Sequence, residues 1–345
     1  MGGGVLPPSL LALLGMLIAV PSAAAQAPVR LREAFAVGYE YHVSTRVELT
    51  GTLTLPPEKD KGPQSLTVTG KSAIEYDERV LAQGQDGRVG KTVRLYRRVE
   101  FQRKVGEQDQ ESTIRPAVRR LVLLRLAQSE VPYSPDGPLL WGEIDQVRTD
   151  VFTPALNGLL PAGAVSSGDR WNASLEAVQE LTDLERIEAG TVGCKLEQFA
   201  TLSGRRHARI SFSGTVSGVG EDGRSRHQLE GYFFFDMESN HLSYLSLSGV
   251  QQMLDKDGKV VGKVEGNFVL TRRPQPRVRE LSDEGLRGLA LEPNEDNTLL
   301  LYENPDLGLR CLHPRRWRVA GVSGRQVALD EKGGSGMLVT VDALK

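Results

Sequence analysis

The stretch from Arg226 to Leu254 reads RHQLEGYFFFDMESNHLSYLSLSGVQQML. Two runs rich in aromatic and aliphatic residues, Arg226–Met237 and Leu242–Leu254, are parted by Glu238-Ser239-Asn240 and His241. Asn tolerates the positive φ that tight hairpins require, so the break reads as a turn. Strands joined this closely must be antiparallel neighbours. The same pattern extends on both sides. Ile187–Leu202 and His207–Val219 precede the pair and Val260–Thr271 follows it. Ser203-Gly204, Glu221-Asp222-Gly223 and Asp255-Lys256-Asp257-Gly258 supply the other turns. Five such runs predict an antiparallel β-meander over residues 187–271.

Upstream, Val37 to Leu55 alternates with period two. Val37, Tyr39, Tyr41, Val43, Val47, Leu49, Leu53 and Leu55 share one parity, while Glu40, His42, Ser44, Arg46, Glu48 and Thr50 share the other. A strand places these sets on opposite faces, whereas a helix would scatter them. Pro56-Pro57 stops the run. Further strands are expected at Leu66–Tyr76, Thr92–Phe101 and Val118–Leu126, and residues 131–171 read as irregular connection with a short helix. Gly51, Gly214, Gly231 and Gly266 each follow an apolar-polar pair, which suits bulges or bends in a sheet curling round its own concave side. Between the two halves, Leu175, Val178, Leu181 and Leu184 form a helical stripe over Ser174–Leu184. Glu176 favours that helix and Asp183 opposes its dipole. The expected fold is mainly β: a curved antiparallel sheet, half-barrel-like, with one or two covering helices.

At the amino terminus Leu10 to Val20 is an almost unbroken apolar run, followed by Pro21, Ser22 and Ala23-Ala24-Ala25. This reads as a secretory signal cleaved after Ala25, although no Lys or Arg precedes its core. The run is shorter than the roughly 20 apolar residues of a bilayer span, and later apolar runs are shorter still. The mature chain is expected in the periplasm or beyond, with no transmembrane span. After the signal at 1–25, the β domain is expected at 26–271. A charged, proline-bearing linker with a short helix near Asp283–Leu289 follows at 272–298, and a small C-terminal α/β or β module at 299–345. The formal net charge of −2 shows no cationic bias towards nucleic acid or anionic lipid. Cys194 and Cys311 admit a disulfide in an oxidising compartment, yet two separate buried thiols fit as well.

Motifs of catalysis and metal binding fail on inspection. Gly218-Val219-Gly220-Glu221-Asp222-Gly223 matches a dinucleotide fingerprint in form, but a strand follows where a helix must open, and its acids would repel phosphate. Gly90-Lys91-Thr92 lacks the earlier glycine of a phosphate loop, which would fall at Gln85. A calcium loop over Asp255-Lys256-Asp257-Gly258, with Gly258 at the sharp turn, would put Met253 at the first ligand position and Val264 at the bidentate one, and neither can coordinate calcium. His42, His207, His227, His241 and His313 form no zinc motif. Gly333-Gly334-Ser335-Gly336 ends in Met337, where a hydrolase elbow needs glycine. No cofactor or metal is expected.

One strand stands out. In Leu229–Asp236, Gly231, Phe233 and Phe235 face one side and Tyr232 and Phe234 the other, so both faces need cover. The Ser174–Leu184 helix would cover one. A hydrophobic ligand in the hollow of the sheet is the other reading, with Tyr232, Phe233, Phe234 and Phe235 as its lining.

Leu159-Leu160-Pro161, then Gly168-Asp169-Arg170-Trp171, then the glycine-bent meander, resemble exported bacterial β-rich proteins of uncharacterised function, similar in outline to the lipoprotein-carrier half-barrels. The resemblance covers about residues 35–271 and implies a curved sheet around helices that shelters acyl chains. It carries over no functional residue. Tyr302-Glu303-Asn304-Pro305 through His313-Pro314-Arg315-Arg316-Trp317 is similar to the opening of the PsbP/Mog1-type α/β module, in which two strands flank a Pro-x-x-Trp turn. The favoured expectation is therefore a non-enzymatic envelope protein whose curved sheet binds a hydrophobic ligand, a lipid included, or a protein partner. An adaptor docking other envelope proteins is the alternative, and it requires a filled core with an exposed apolar edge or patch. An enzyme built from dispersed carboxylates is the third.

Overall fold

The computed structural model describes residues 27–55, 62, 64–126, 130–148, 150–275, 277–331 and 334–342. The expected signal at 1–25 and Pro56-Pro57 lie outside them. Strand makes up 60% of the structure and helix 11%, so the mainly-β expectation holds. In chain order the strands are β1 (Val29–Arg30), β2 (Glu40–Leu55), β3 (Gln64–Gln83), β4 (Val89–Val105), β5 (Gln108–Ser112), β6 (Arg120–Arg125) and β7 (Glu130–Tyr133). Helix α1 (Trp141–Arg148), β8 (Ala164–Val165), β9 (Arg170–Asn172) and helix α2 (Leu175–Thr182) follow. The meander comprises β10 (Arg186–Leu202), β11 (Arg205–Gly220), β12 (Gly223–Asp236), β13 (His241–Leu254) and β14 (Val260–Pro274). The chain ends in β15 (Leu300–Asn304), β16 (Leu309–His313), β17 (Trp317–Ser323), β18 (Gln326–Glu331) and β19 (Gly336–Thr340).

Twelve of these strands form one open antiparallel sheet in the order β7-β6-β4-β3-β2-β14-β13-β12-β11-β10-β9, with β5 also paired to β4. The sequential hairpins are those read from the turn residues. The junction is not sequential: β2 pairs with β14 from Leu53↔Gly262 to Tyr41↔Pro274, uniting the amino-terminal strands with the meander. The strand begins at Glu40 rather than Val37, because Val37 and Gly38 form a turn in which Gly38 takes φ +85°.

Alternation fixes which face is inner. Tyr41 and Val43 are fully buried, whereas Arg46, Glu48 and Thr50 of the other parity are exposed. The inner face is roofed by the segment between β7 and β10. From it Ile144, Val147, Phe152, Leu156, Leu159, Ala177 and Val178 join one core cluster with Tyr41, Tyr76, Leu196, Phe212, Phe233 and Phe235. Helix α2 starts where Ser174 caps it, its hydroxyl accepting from the Ala177 N–H at 3.2 Å. It stops where Asp183 adopts φ 55°, outside the last turn. The expected stripe is shifted: Val178 and Leu184 are buried, but Leu175 is 63% exposed.

The charged stretch after β14 lies along the sheet. Val278, Leu281 and Leu286 pack with Val93, Val122 and Tyr133 in a second core cluster, and the Tyr133 hydroxyl donates to the Leu291 carbonyl at 2.7 Å. Hydrogen-bonded turns occupy Asp283–Leu289, where a short helix was expected. Beyond it, Leu300 enters the main core and the Leu301 N–H donates to the Leu139 carbonyl at 2.8 Å. The Pro-x-x-Trp element is indeed a turn between two strands: the Trp317 N–H donates to the Pro314 carbonyl at 3.0 Å. Strands β17–β19 form a separate small sheet.

Glycine is required where a neighbouring strand's backbone approaches too closely for a side chain. A Cβ on Gly231 would sit 2.2 Å from the Ser246 carbonyl oxygen and 2.6 Å from the Phe212 ring. Gly231→Ala should therefore cost about 1–3 kcal/mol, as overpacking does. Urea unfolding should show a lower midpoint with unchanged slope, and an unaltered midpoint would refute the close approach.

Candidate functional site

The four aromatic side chains proposed as ligand lining do not line one hollow. Phe233 and Phe235 are fully buried in the core beneath the helical roof. Tyr232 and Phe234 point to the opposite, open face and are half-buried there. On that face they meet Tyr244, with ring centroids at 5.8 Å and 6.0 Å, and the Arg209 guanidinium lies 4.7 Å from the Tyr232 ring. The two sides of this strand thus have different covers. Side chains fill the inner one, and an aromatic patch is left on the outer one.

The same open face holds a hollow of about 910 Å³, lined mostly by polar and charged residues. Seven consecutive strands, β5-β4-β3-β2-β14-β13-β12, contribute to it, so the sheet bends around that space. On β12 it is lined by Gln228 and Glu230 and not by Leu229, whose side chain belongs to the core. Glu48, Lys71, Lys104, Asp109, Glu111 and Glu265 give it mixed charge. Lys71 pairs with Glu48 at 3.4 Å and Lys104 with Asp109 at 3.5 Å. Exposed pairs of this kind contribute little stability, so they are free to exchange for contacts with a partner. Tyr232 follows Glu230 by two residues on the same face, which makes the hollow and the aromatic patch one continuous surface.

Neither cysteine is bridged. Cys194 is buried on β10 and Cys311 is partly buried on β16, both as free thiols. Burial pushes the Cys194 thiol up to about 12, which leaves it unreactive at neutral pH.

Sequence reading missed the buried ions entirely. Arg94 is fully buried and donates from Nε to Glu78 at 2.8 Å and from Nη1 to Asp150 at 2.8 Å. Tyr41 and Thr92 hydroxyls each donate to Glu78 at 2.6 Å, and the guanidinium stacks 4.3 Å over the Tyr76 ring. Burial raises the Asp150 carboxyl to about 7 although Arg94 pulls it down. A second pair, Arg272 with Glu33, ties the segment before β2 to β14, and Arg272 also donates to the Leu242 carbonyl at 3.0 Å. These groups sit inside the core, away from the polar hollow. Strongly shifted groups often mark active sites, but here each pair joins distant parts of the chain. Among the described residues no group of three or more His, Cys, Asp or Glu is placed to hold a metal ion.

No protein-family model matches the chain, and no curated protein does. Solved structures with partial likeness include one described as lipid-protein interactions in lipovitellin, at 11% identity and TM-score 0.34 over 71% of this chain. This chain spans about a quarter, 26%, of the lipovitellin chain. DynF from the dynemicin biosynthesis pathway of Micromonospora chersina aligns at 8% identity and TM-score 0.17, over 73% of this chain and 88% of its own. The hypothetical lipoprotein YmcC from Escherichia coli (K12) aligns at 12% and 0.15, over 70% and 91%. Superpositions this partial fix neither a family nor an activity. Among the described residues no helix is long and apolar enough to cross a membrane.

Two measurements test the electrostatics. Arg94→Met leaves Glu78 and Asp150 buried without their cation and should cost about 3–5 kcal/mol at pH 8. The loss should shrink at pH 5, where Asp150 can take up a proton; a penalty that does not vary with pH contradicts the arrangement. Burial also holds the His227 and His241 imidazoles at about 4, below the ordinary 6.5. Between those values the unfolded chain binds protons that the folded chain does not, so these groups withdraw stability as pH falls from 6.5 to 4. Asp150 acts in the opposite sense over the same range, so the comparison must be made between variants. A His227→Gln/His241→Gln protein should lose less thermal stability than wild type on acidification from pH 7 to 4.5, and parallel melting curves would refute this.

Proposed function

We propose that this is a non-enzymatic, exported protein of the bacterial envelope that binds a protein partner on the open face of its sheet. One observation carries the reading. The roofed face is filled by side chains, whereas the opposite face joins a 910 Å³ polar hollow to the patch of Tyr232, Phe234 and Tyr244. An aromatic anchor flanked by arginine and bordered by a wet, mixed-charge surface is the composition of a protein-binding site. The acyl-chain reading asks for a hollow between helices and sheet, and that space is occupied by Phe152, Leu156, Val178, Phe233 and Phe235. The amino-terminal apolar run supports export, and the absence of any recognised nucleophile, acid–base pair or metal set in the sequence favours binding over catalysis.

The open face has room for an alternative occupant, since Tyr232, Phe234 and Tyr244 would also accept an apolar chain. In-cell crosslinking of the exported protein, combined with lipid extraction of the purified chain, separates the two. A discrete protein adduct is expected, lost in Tyr232→Ser/Phe234→Ser at little cost in melting temperature, with no stoichiometric lipid in the extract. Stoichiometric lipid, or an adduct that survives the double substitution, would overturn the proposal.

A further inference from the structure

An open β edge is a template for another chain, and strands that lie at one ordinarily carry devices against pairing. Most open edges of this molecule carry them. β7 contains Pro132, β9 is three residues long, and β5 reads Gln-Asp-Gln-Glu-Ser. β10 is irregular between Ile187 and Ala189 and between Leu196 and Gln198, and β16 carries Arg310. In the small C-terminal sheet, β17 is irregular between Val319 and Gly321. Arg318 ties that strand to the body of the molecule, pairing with Glu221 at 2.9 Å and lying 5.0 Å over the Trp141 ring.

β19, on the far side of the same sheet, has none of these devices. Its residues, Gly336-Met337-Leu338-Val339-Thr340, include no charge and no proline. They pair with β18 in unbroken register from Asp330↔Gly336 to Gln326↔Thr340, and among the described residues no strand pairs with the other side. Leu338 is 61% exposed and Met337 36%. An edge that is regular, uncharged and apolar is built for pairing rather than against it.

The edge also matches itself. A two-fold axis at Leu338 sets that residue against its own copy, Met337 against Val339 of the second copy, and Gly336 against Thr340. Directly opposed residues of antiparallel strands share a face, so apolar side chains meet apolar ones throughout. On one face the row Val319, Leu329, Met337 continues through Val339, Val327 and Val322 of the second copy. On the other face the two Leu338 side chains meet, flanked by Ala328. A contact of this symmetry closes at two chains.

We propose that β19 pairs with β19 of a second copy of this chain, joining the two C-terminal sheets into one of six strands. A ladder of five residues buries little area, so the dimer is reversible, with a Kd on the order of micromolar. The proposal concerns the C-terminal sheet alone and does not depend on the reading given for the open face.

Sedimentation of the full mature chain between about 1 and 500 μM tests it. A monomer–dimer equilibrium is expected. Leu338→Lys sets like charges opposite each other at the axis and should weaken the dimer about tenfold or more. Leu338 is exposed, so the melting temperature should hold. Leu175→Lys, which alters an equally exposed leucine on α2, should leave the equilibrium unchanged. In a Cys311→Ser background, a short bismaleimide should join two copies through Leu338→Cys and not through Leu175→Cys. A dimer that survives Leu338→Lys, equal weakening by the two lysines, or no crosslink at Leu338→Cys would overturn the assignment. A chain that stays monomeric throughout would overturn it too and leave the edge to a strand of another protein.

Discussion

The ladder between β2 and β14 is the contact on which the remaining structure depends. Each half of the sheet is a run of hairpins that the local sequence closes unaided. Only the pairing from Tyr41↔Pro274 to Leu53↔Gly262 makes them one surface. With that seam in place, one roof suffices for the inner faces of both halves, and the hollow can draw its walls from strands on either side of it. Without it, each half would expose an unpaired central edge and a core without a complete cover.

Ionic contacts reinforce the same seam from within. Glu33 and Arg272 lie 239 positions apart in the chain, yet they form a fully buried pair beneath the aromatic rings of Phe35 and Tyr41. Arg94 similarly joins β3 and β4 to Asp150 in the roof. Such pairs are poor sources of net stability compared with apolar packing, but misplacing either partner leaves a bare buried charge. They act as register pins that penalise alternative arrangements of long, glycine-rich strands, whose alternation alone would tolerate slippage by two residues.

Local pattern made much of this fold legible. The hairpins of residues 187–271 are announced by their turn residues, and the α2 helix by its apolar spacing and Glu176 in its first turn. The two-sided strand at Leu229–Asp236 signalled the roof over Phe233 and Phe235, but its other face, with Tyr232 and Phe234, is left half-exposed rather than covered. What escaped was non-local. Nothing in the residues around Arg94, Glu33 or Arg272 distinguishes them from surface charges, because their partners come from remote segments. The hollow was expected to be apolar because its aromatic neighbours are conspicuous in sequence. Its polar lining comes from the outward parity of seven strands, which looks like ordinary solvated surface until the sheet is bent. The residues after β14 read as a linker because their leucines are spaced irregularly among charges, although they cover Val93, Val122 and Tyr133.

The position of the seam in the chain also governs timing. β2 emerges early in synthesis, but its partner on one side is complete only when residue 274 has appeared. Contacts of such sequence separation carry a large loop-closure entropy and slow the search for the native state. Until β14 arrives, a sixteen-residue strand has one ladder unfilled. Slow consolidation leaves an open β edge in the interval, which must be kept from pairing with another chain until β14 fills it.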